Sequence, residues 1–288
     1  MALHKLPVFA HHSRYWRDNR FVYPVISRRS KGLSIGLNLN PDDVCNFDCI
    51  YCCVDRSTPR TGRKFDLAIA RDELDRMLAW AKSGEIYTVE PISAAPPPLR
   101  RLNDIAFSGN GEPTSCPCFE EACRLVVELL EKHDLPQTKI VTITNATLLH
   151  RPAIVRAMEY LDHHHGEIWA KLDAGTEPYY RLVERTAVPF SRVLANIAAA
   201  GRIRPIVIQS LFMRINGVGP TPEEVAAYIA RLKELIAAGC QIKLVQIYTT
   251  ARHTAETYVT PLPDADLDAI ATGARTTGLN VETYYGVG

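Results

Sequence analysis

The chain has 288 residues, with 33 basic and 32 acidic side chains and 47% hydrophobic residues, enough apolar material to bury a substantial core and to exclude intrinsic disorder. A formal net charge of +1 excludes a globally basic nucleic-acid binder, though not a local basic patch. No run of about 18 apolar residues occurs, which excludes a transmembrane helix, and the start MALHKLPVFAHHSRYWRDNR lacks the apolar stretch and cleavage site of a secretory signal, so a cytoplasmic location is expected.

Residues 1–31 read as a basic N-terminal arm. Lys5, Arg14, Arg17, Arg20, Arg28, Arg29 and Lys31 face a single acid, Asp18, so the arm carries +6 and the remainder about −5 by subtraction. Such an arm is either solvated, with Trp16, Phe21 and Tyr23 packed across one end of the fold, or an anion- or RNA-binding element. Residues 33–39 alternate like a strand. Leu74, Met77, Leu78 and Ala81 give residues 71–82 helical spacing. Pro96, Pro97 and Pro98 then favour extended backbone.

Further along, strands are predicted over 104–108, 139–145, 167–173, 206–213 and 241–248, with a last extended segment over 279–285. Helices are predicted over 119–132, around Ile154 to Leu161, over 191–200, from Thr221 to about Ala238, and over 264–277. Thr221 with Pro222 and Glu224 has the pattern of a capping box. Strands alternating with helices indicate βαβ units and a parallel sheet. Six or seven strands are too few for a full eight-stranded barrel; an open partial barrel and a doubly wound sheet both fit. No linker divides the chain.

Eight cysteines are the unusual count. In a chain without an export signal, reduced thiols and metal ligation outrank disulfides. Cys45, Cys49 and Cys52 form C-x3-C-x2-C in the loop after the first parallel strand, at the strand edge where active sites collect. Three thiolates on one loop suit an iron–sulfur cluster; a [4Fe–4S] cube then keeps one iron without a protein ligand, an open position for substrate or cofactor.

This stretch resembles the signature of the radical S-adenosylmethionine (SAM) superfamily, with Tyr51 in its aromatic position. One βα unit later, Gly109-Asn110-Gly111-Glu112-Pro113-Thr114 resembles the superfamily's Gly-Gly-Glu-Pro-like element, in a variant close to the branch related to tRNA wyosine-base synthases. Thr144-Asn145-Ala146-Thr147 and Lys171-Leu172-Asp173-Ala174-Gly175-Thr176 match it in order and place. The resemblance covers roughly residues 30 to 255. It implies an α/β fold, a partial (βα)6 TIM-like barrel of parallel strands open on one side, with residues 32–288 as one domain behind the arm.

What the resemblance implies for function is specific. Cys45, Cys49 and Cys52 hold a [4Fe–4S] cluster whose open iron chelates SAM. The reduced cluster cleaves SAM to a 5′-deoxyadenosyl radical, which abstracts a substrate hydrogen. Tyr51 contacts adenine; Gly109, Asn110, Gly111 and Glu112 hold the methionyl part; Asn145 and Asp173 lie at the ribose. Lys171, Arg214, Tyr248 and Arg252 are candidates to meet a substrate large enough to need the open side, such as tRNA or a peptide. A reductant such as flavodoxin or ferredoxin is the implied partner. A non-catalytic iron–sulfur electron carrier or redox sensor on the same fold is the rival, and the intact Glu112 loop argues against it.

The chain also departs from its relatives. No cysteine precedes Cys45, where the wyosine synthases bind a second cluster, and only Cys240 follows Cys123, unlike peptide-modifying maturases. Cys116, Cys118 and Cys123 either bind further iron, return a hydrogen atom to a substrate radical, or are free thiols. His163-His164-His165 precedes a strand, at the face away from the chemistry, and reads as a solvated loop; His11 and His12 are ambiguous.

Overall fold

In the computed structural model, which describes residues 5–10, 13–14, 16–58 and 62–287, eight strands lie side by side in one sheet. In spatial order they are β1 (Val22–Ser27), β2 (Gly32–Leu37), β3 (Leu102–Phe107), β4 (Lys139–Thr144), β5 (Gly166–Lys171), β6 (Ile206–Leu211), β8 (Ile242–Tyr248) and β10 (Val281–Tyr284). Neighbours from β2 to β10 pair in parallel, and β1 alone runs antiparallel, against β2. Two short strands, β7 (Met213–Ile215) and β9 (Val259–Pro261), pair separately. The sheet curls into a partial TIM-like barrel that does not close on itself.

The helices are α1 (Leu67–Ser83), α2 (Phe119–Lys132), α3 (Pro152–Asp162), α4 (Glu177–Glu184), α5 (Phe190–Ile203), α6 (Pro222–Ala237) and α7 (Asp264–Arg275). Right-handed βα crossovers place helices outside a parallel sheet, and the apolar faces of these helices meet the outward strand residues in one continuous core. A smaller cluster of Ala106, Val141, Trp169 and Val207 fills the barrel interior. No helix among the described residues is long and apolar enough to cross a membrane.

The parallel strands and six of the helices fall where hydrophobic periodicity places them. Four differences have physical reasons. Val22–Ser27, within the basic arm, is a strand; Pro24 lacks a donor and so suits an edge. Its start is held by Glu73 of α1, whose buried carboxylate accepts from the backbone N–H groups of Arg20 at 2.7 Å, Phe21 at 2.9 Å and Val22 at 3.1 Å. The short α4 goes unseen in a Pro- and Tyr-rich stretch, although Thr176 caps it through the N–H of Tyr179. Pro97–Leu99 is a 3-10 turn rather than extended chain, because the proline φ near −65° serves both. The Thr221 cap accepts from Glu224 N–H at 3.2 Å, but the Glu224 carboxylate turns inward to Gly175 and Thr176 instead of closing the box.

The two ends of the sheet meet without a backbone ladder. The turn between β1 and β2 reaches β10 through an ion pair of Lys31 with Glu282 at 2.9 Å. Arg28 donates to the Tyr285 carbonyl, and the Tyr284 hydroxyl donates to the Arg29 carbonyl at 3.5 Å.

Candidate active site

The loop from β2 to α1 carries Cys45, Cys49 and Cys52, and all three line one cavity of about 210 Å³ at the C-terminal ends of the strands. The loop is fixed from several sides. Ile50 N–H and Asp48 N–H donate to the carbonyls of Val183 and Glu184 at the end of α4. Asn46 exchanges side-chain bonds of 2.7 Å with Asn145 and Thr147 beyond β4.

The β3 loop forms the opposite wall, with Gly109, Asn110, Gly111 and Glu112 on the cavity. Its glycines are demanded by the cysteine loop itself. A Cβ on Gly109 would stand 2.2 Å from Asn38 Oδ1, and one on Gly111 would stand 2.1 Å from the Val44 carbonyl oxygen. Asn110 is similarly committed: its N–H donates to Asn38 Oδ1 at 3.0 Å, its Nδ2 to Asp43, and its Oδ1 accepts from Arg14 Nη1 at 2.9 Å.

Glu112 is buried, and its carboxylate is a structural clamp between two loops. It accepts from the Thr144 hydroxyl at 2.6 Å, from Asn145 N–H at 2.7 Å, and from both the N–H and the hydroxyl of Thr114. Burial pushes its carboxyl up, against these hydrogen bonds, which favour the anion.

Tyr51 points inward, and its hydroxyl donates to Asp173 Oδ2 at 2.6 Å. Asp173 stands behind the cavity wall with its side chain fully buried, accepting also from Leu211 N–H at 2.6 Å and paired with Lys171 Nζ at 2.9 Å. Lys171 donates to the Tyr248 hydroxyl at 2.5 Å and lies 5.0 Å from the Tyr51 ring centroid. Burial opposes the Lys171 charge, but Asp173 and Tyr248 outweigh it and hold the ammonium well above its ordinary range.

Beside this pair lies a residue that sequence reading missed, Glu184. The Cys49 thiol donates to its Oε2 at 2.7 Å, and burial, then Asp173, push its carboxyl well above the usual range. Tyr180, Val183 and Glu184 share the buried face of α4, so an acid on an apolar helical stripe was the available signal. Arg56 was also missed: its Nη1 donates to Cys52 Sγ at 3.2 Å and its Nη2 to the Asn110 carbonyl at 2.6 Å.

The donor set fits an iron–sulfur cluster. Backbone N–H groups of Phe47 and Val54 point at the sulfurs of Cys45 and Cys52, both at 3.5 Å, and N–H···S bonds of this kind stabilise cluster thiolates. Burial pushes the Cys45 and Cys49 thiols up, and a bound metal cation would favour their ionised forms. Among the described residues, no three His, Cys, Asp or Glu side chains gather as they would around a single ion.

The other candidates divide. Lys171, Tyr248 and Arg252 line the cavity with the cysteines, whereas Arg214 sits on β7, exposed, against Asp266. Cys116 and Cys118 lie with their sulfurs 3.1 Å apart, packed on the outer core rather than on the cavity, and Cys123 and Cys240 are buried. His163–His165 form the turn before β5, at the far end of the barrel. His11 and His12 lie outside the described residues.

No protein-family model matches the chain. Among curated proteins it is 22% identical over 256 residues to the GTPase Obg of Brachyspira hyodysenteriae and 25% identical over 246 residues to UPF0026 protein MJ1312 of Methanocaldococcus jannaschii. The alignments cover 88% and 83% of this chain but only 33% and 65% of those proteins. Among solved structures, a radical SAM methyltransferase from Sphaerobacter thermophilus aligns with a TM-score of 0.60 at 12% identity, over 93% of this chain and 70% of that one. Streptococcus suis SuiB bound to S-adenosylmethionine aligns with a TM-score of 0.53 at 14% identity, over 89% and 49%. The parallel half-barrel described above is the fold of the radical SAM enzymes.

Proposed function

We propose that the chain is a radical SAM enzyme with one [4Fe–4S] cluster held by Cys45, Cys49 and Cys52. The observation that carries this reading is the facing of these three thiols, with no fourth cysteine on the same wall, toward the Gly109–Glu112 loop across one cavity. An incomplete protein ligand set is what an exchangeable ligand on the fourth iron requires. When bound, the reduced cluster and SAM supply the one-electron cleavage that yields a carbon radical.

The chain's own residues prepare that chemistry. Arg56 offsets thiolate charge at Cys52. The backbone of Gly109 to Gly111, with Tyr51 and Asn145 nearby, bounds the space for SAM. Glu112 acts by locking the β3 and β4 loops together rather than as a free carboxylate. Trp169 lies between this cavity and the one at the other end of the barrel, lining both together with Arg29, Ser30 and Asp104. A flavodoxin- or ferredoxin-type donor and a cytoplasmic setting belong to this reading. A GTPase reading, suggested by the name of one relative, lacks support: the sequence contains no Gly-Lys pair and hence no phosphate-binding P-loop signature.

Anaerobic reconstitution, dithionite reduction and addition of SAM test the proposal. The expected product is 5′-deoxyadenosine, abolished in Cys49→Ala. A chain that binds four irons yet releases no 5′-deoxyadenosine refutes it, as does a Cys49→Ala variant with unchanged iron content.

A further inference from the structure

A second chamber, of about 140 Å³, adjoins the cysteine cavity and shares Arg14, Arg29, Tyr51, Cys52, Tyr248 and Arg252 with it, so three of its arginines stand at the opening between the two. Its wall carries four guanidinium groups, from Arg14, Arg28, Arg29 and Arg252, and no carboxylate among the described residues. Arginines this close are ordinarily interleaved with acids. Here the sequence draws two of them from the β1–β2 turn and one from the segment after β8, so the fold gathers like charges from far apart in the chain.

Their present partners do not neutralise them. Arg28 donates to the carbonyls of Tyr285 and Thr249. Arg14 donates to an amide oxygen of Asn110. Arg29 lies over the Tyr248 ring, 4.6 Å from its centroid. Arg252 has no hydrogen bond or ion pair among the described residues. Burial first, then the charges of Arg29 and Arg252, bring the Arg28 pKa down to about 9; burial lowers Arg252 as well, with Arg14 and Arg29 adding to it. Guanidinium groups stay charged regardless, so their mutual repulsion persists until an anion arrives.

We infer that this chamber binds a phosphate ester of the substrate and thereby holds the reacting carbon over the cysteine cavity. Resting on the radical SAM reading, the inference names the substrate class. A single carboxylate would offset one of four positive charges; a phosphate or diphosphate offers two or more, with oxygens that planar guanidinium forks contact in pairs. The ester belongs either to a small phosphorylated molecule or to a nucleic-acid backbone, and the binding site is the same chemistry for both.

Calorimetric titration of the reconstituted full chain with inorganic pyrophosphate, and separately with a short single-stranded RNA, tests this. Pyrophosphate is expected to bind, and Arg252→Gln and Arg14→Gln each to weaken it by about tenfold or more, with Arg252→Lys in between. Cys49→Ala is expected to retain pyrophosphate binding, which separates this inference from the cluster assignment. RNA binding more tightly than pyrophosphate, with the same arginine dependence, places the ester in a nucleic acid; equal or weaker binding places it in a small molecule. Absence of pyrophosphate binding at millimolar concentration overturns the inference. So does unchanged binding in correctly folded Arg252→Gln, or a loss confined to SAM affinity, which would assign the arginines to the cofactor's carboxylate.

Discussion

The α-carbon of Gly111 lies so close to the Val44 carbonyl that a side chain at this position would begin 2.1 Å from that oxygen. The loop carrying the cysteines and the loop carrying Glu112 are therefore in direct backbone contact. Gly111→Ala must displace one of them, at a cost of about 1–3 kcal/mol for overpacking a filled site. Urea denaturation of the metal-free chain is expected to show that loss, and iron uptake on reconstitution to fall with it. Full iron content at unchanged stability would mean the two loops are free to separate.

Cys116 and Cys118 are turned away from the cavity, onto the core behind α2. Their alanine variants are expected to keep four irons per chain and full 5′-deoxyadenosine yield, while Cys45→Ala and Cys52→Ala lose cluster. An iron content near eight in the wild type, halved by Cys116→Ala, would show a second cluster instead.

At the other end of the barrel, Asp104 is buried between β2 and β3, accepting from Ser34 Oγ at 2.5 Å and from Ser30 Oγ. Burial pushes its pKa up to about 6, against these two hydroxyls. Its protonated form is thus favoured in the fold over the unfolded chain. That stabilisation is complete below about pH 4, and about 3 kcal/mol is lost as the pH rises through about 6. Asp104→Asn stays neutral and lacks this dependence. Unfolding free energies of the two proteins should diverge between these pH values; parallel curves would sink the assignment.

Asp173 and Lys171 neutralise each other in a site the solvent hardly reaches, their side chains 0% and 12% exposed. Asp173→Ala leaves a buried ammonium and the Leu211 N–H without an acceptor, and is expected to cost about 3–5 kcal/mol. Tyr51→Phe removes only one donor to the same carboxylate and is expected to cost about 1 kcal/mol. Thermal unfolding of the metal-free proteins checks the order; equal losses would mean that the ion pair contributes nothing beyond the hydroxyl.

The alternation of strands and helices was legible because the helices bury one apolar face while the strands are short apolar runs, β2 and β6 buried throughout, and the C-x3-C-x2-C loop because its cysteines are close in sequence. Gly109 and Gly111 were legible as members of a SAM-binding motif, but the neighbours that exclude a side chain there, Asn38 and Val44, lie about 70 residues earlier, and local patterning carries no such pairing. Asp173 shows the same limit. A polar residue ending a strand reads as a ligand contact, while of the groups that occupy it only Lys171 is local; Tyr51 and Leu211 come from other elements. β1 was hidden by composition: its flanking arginines give the segment the look of a solvated arm, and Glu73, the acid that docks it, sits a further 50 residues along.

The seam between β1 and β10 is fastened by Lys31, Arg28 and Tyr284 rather than by strand pairing. Of these, only the Lys31–Glu282 pair is exposed and worth about 1 kcal/mol or less; Tyr284 is buried and Arg28 mostly so. The barrel is thus fastened at this joint by a few side chains, while the seven parallel strands are held in register by backbone hydrogen bonds. Arg28 and Arg29 stand at that joint, so the same turn that fastens the barrel also lines the arginine chamber.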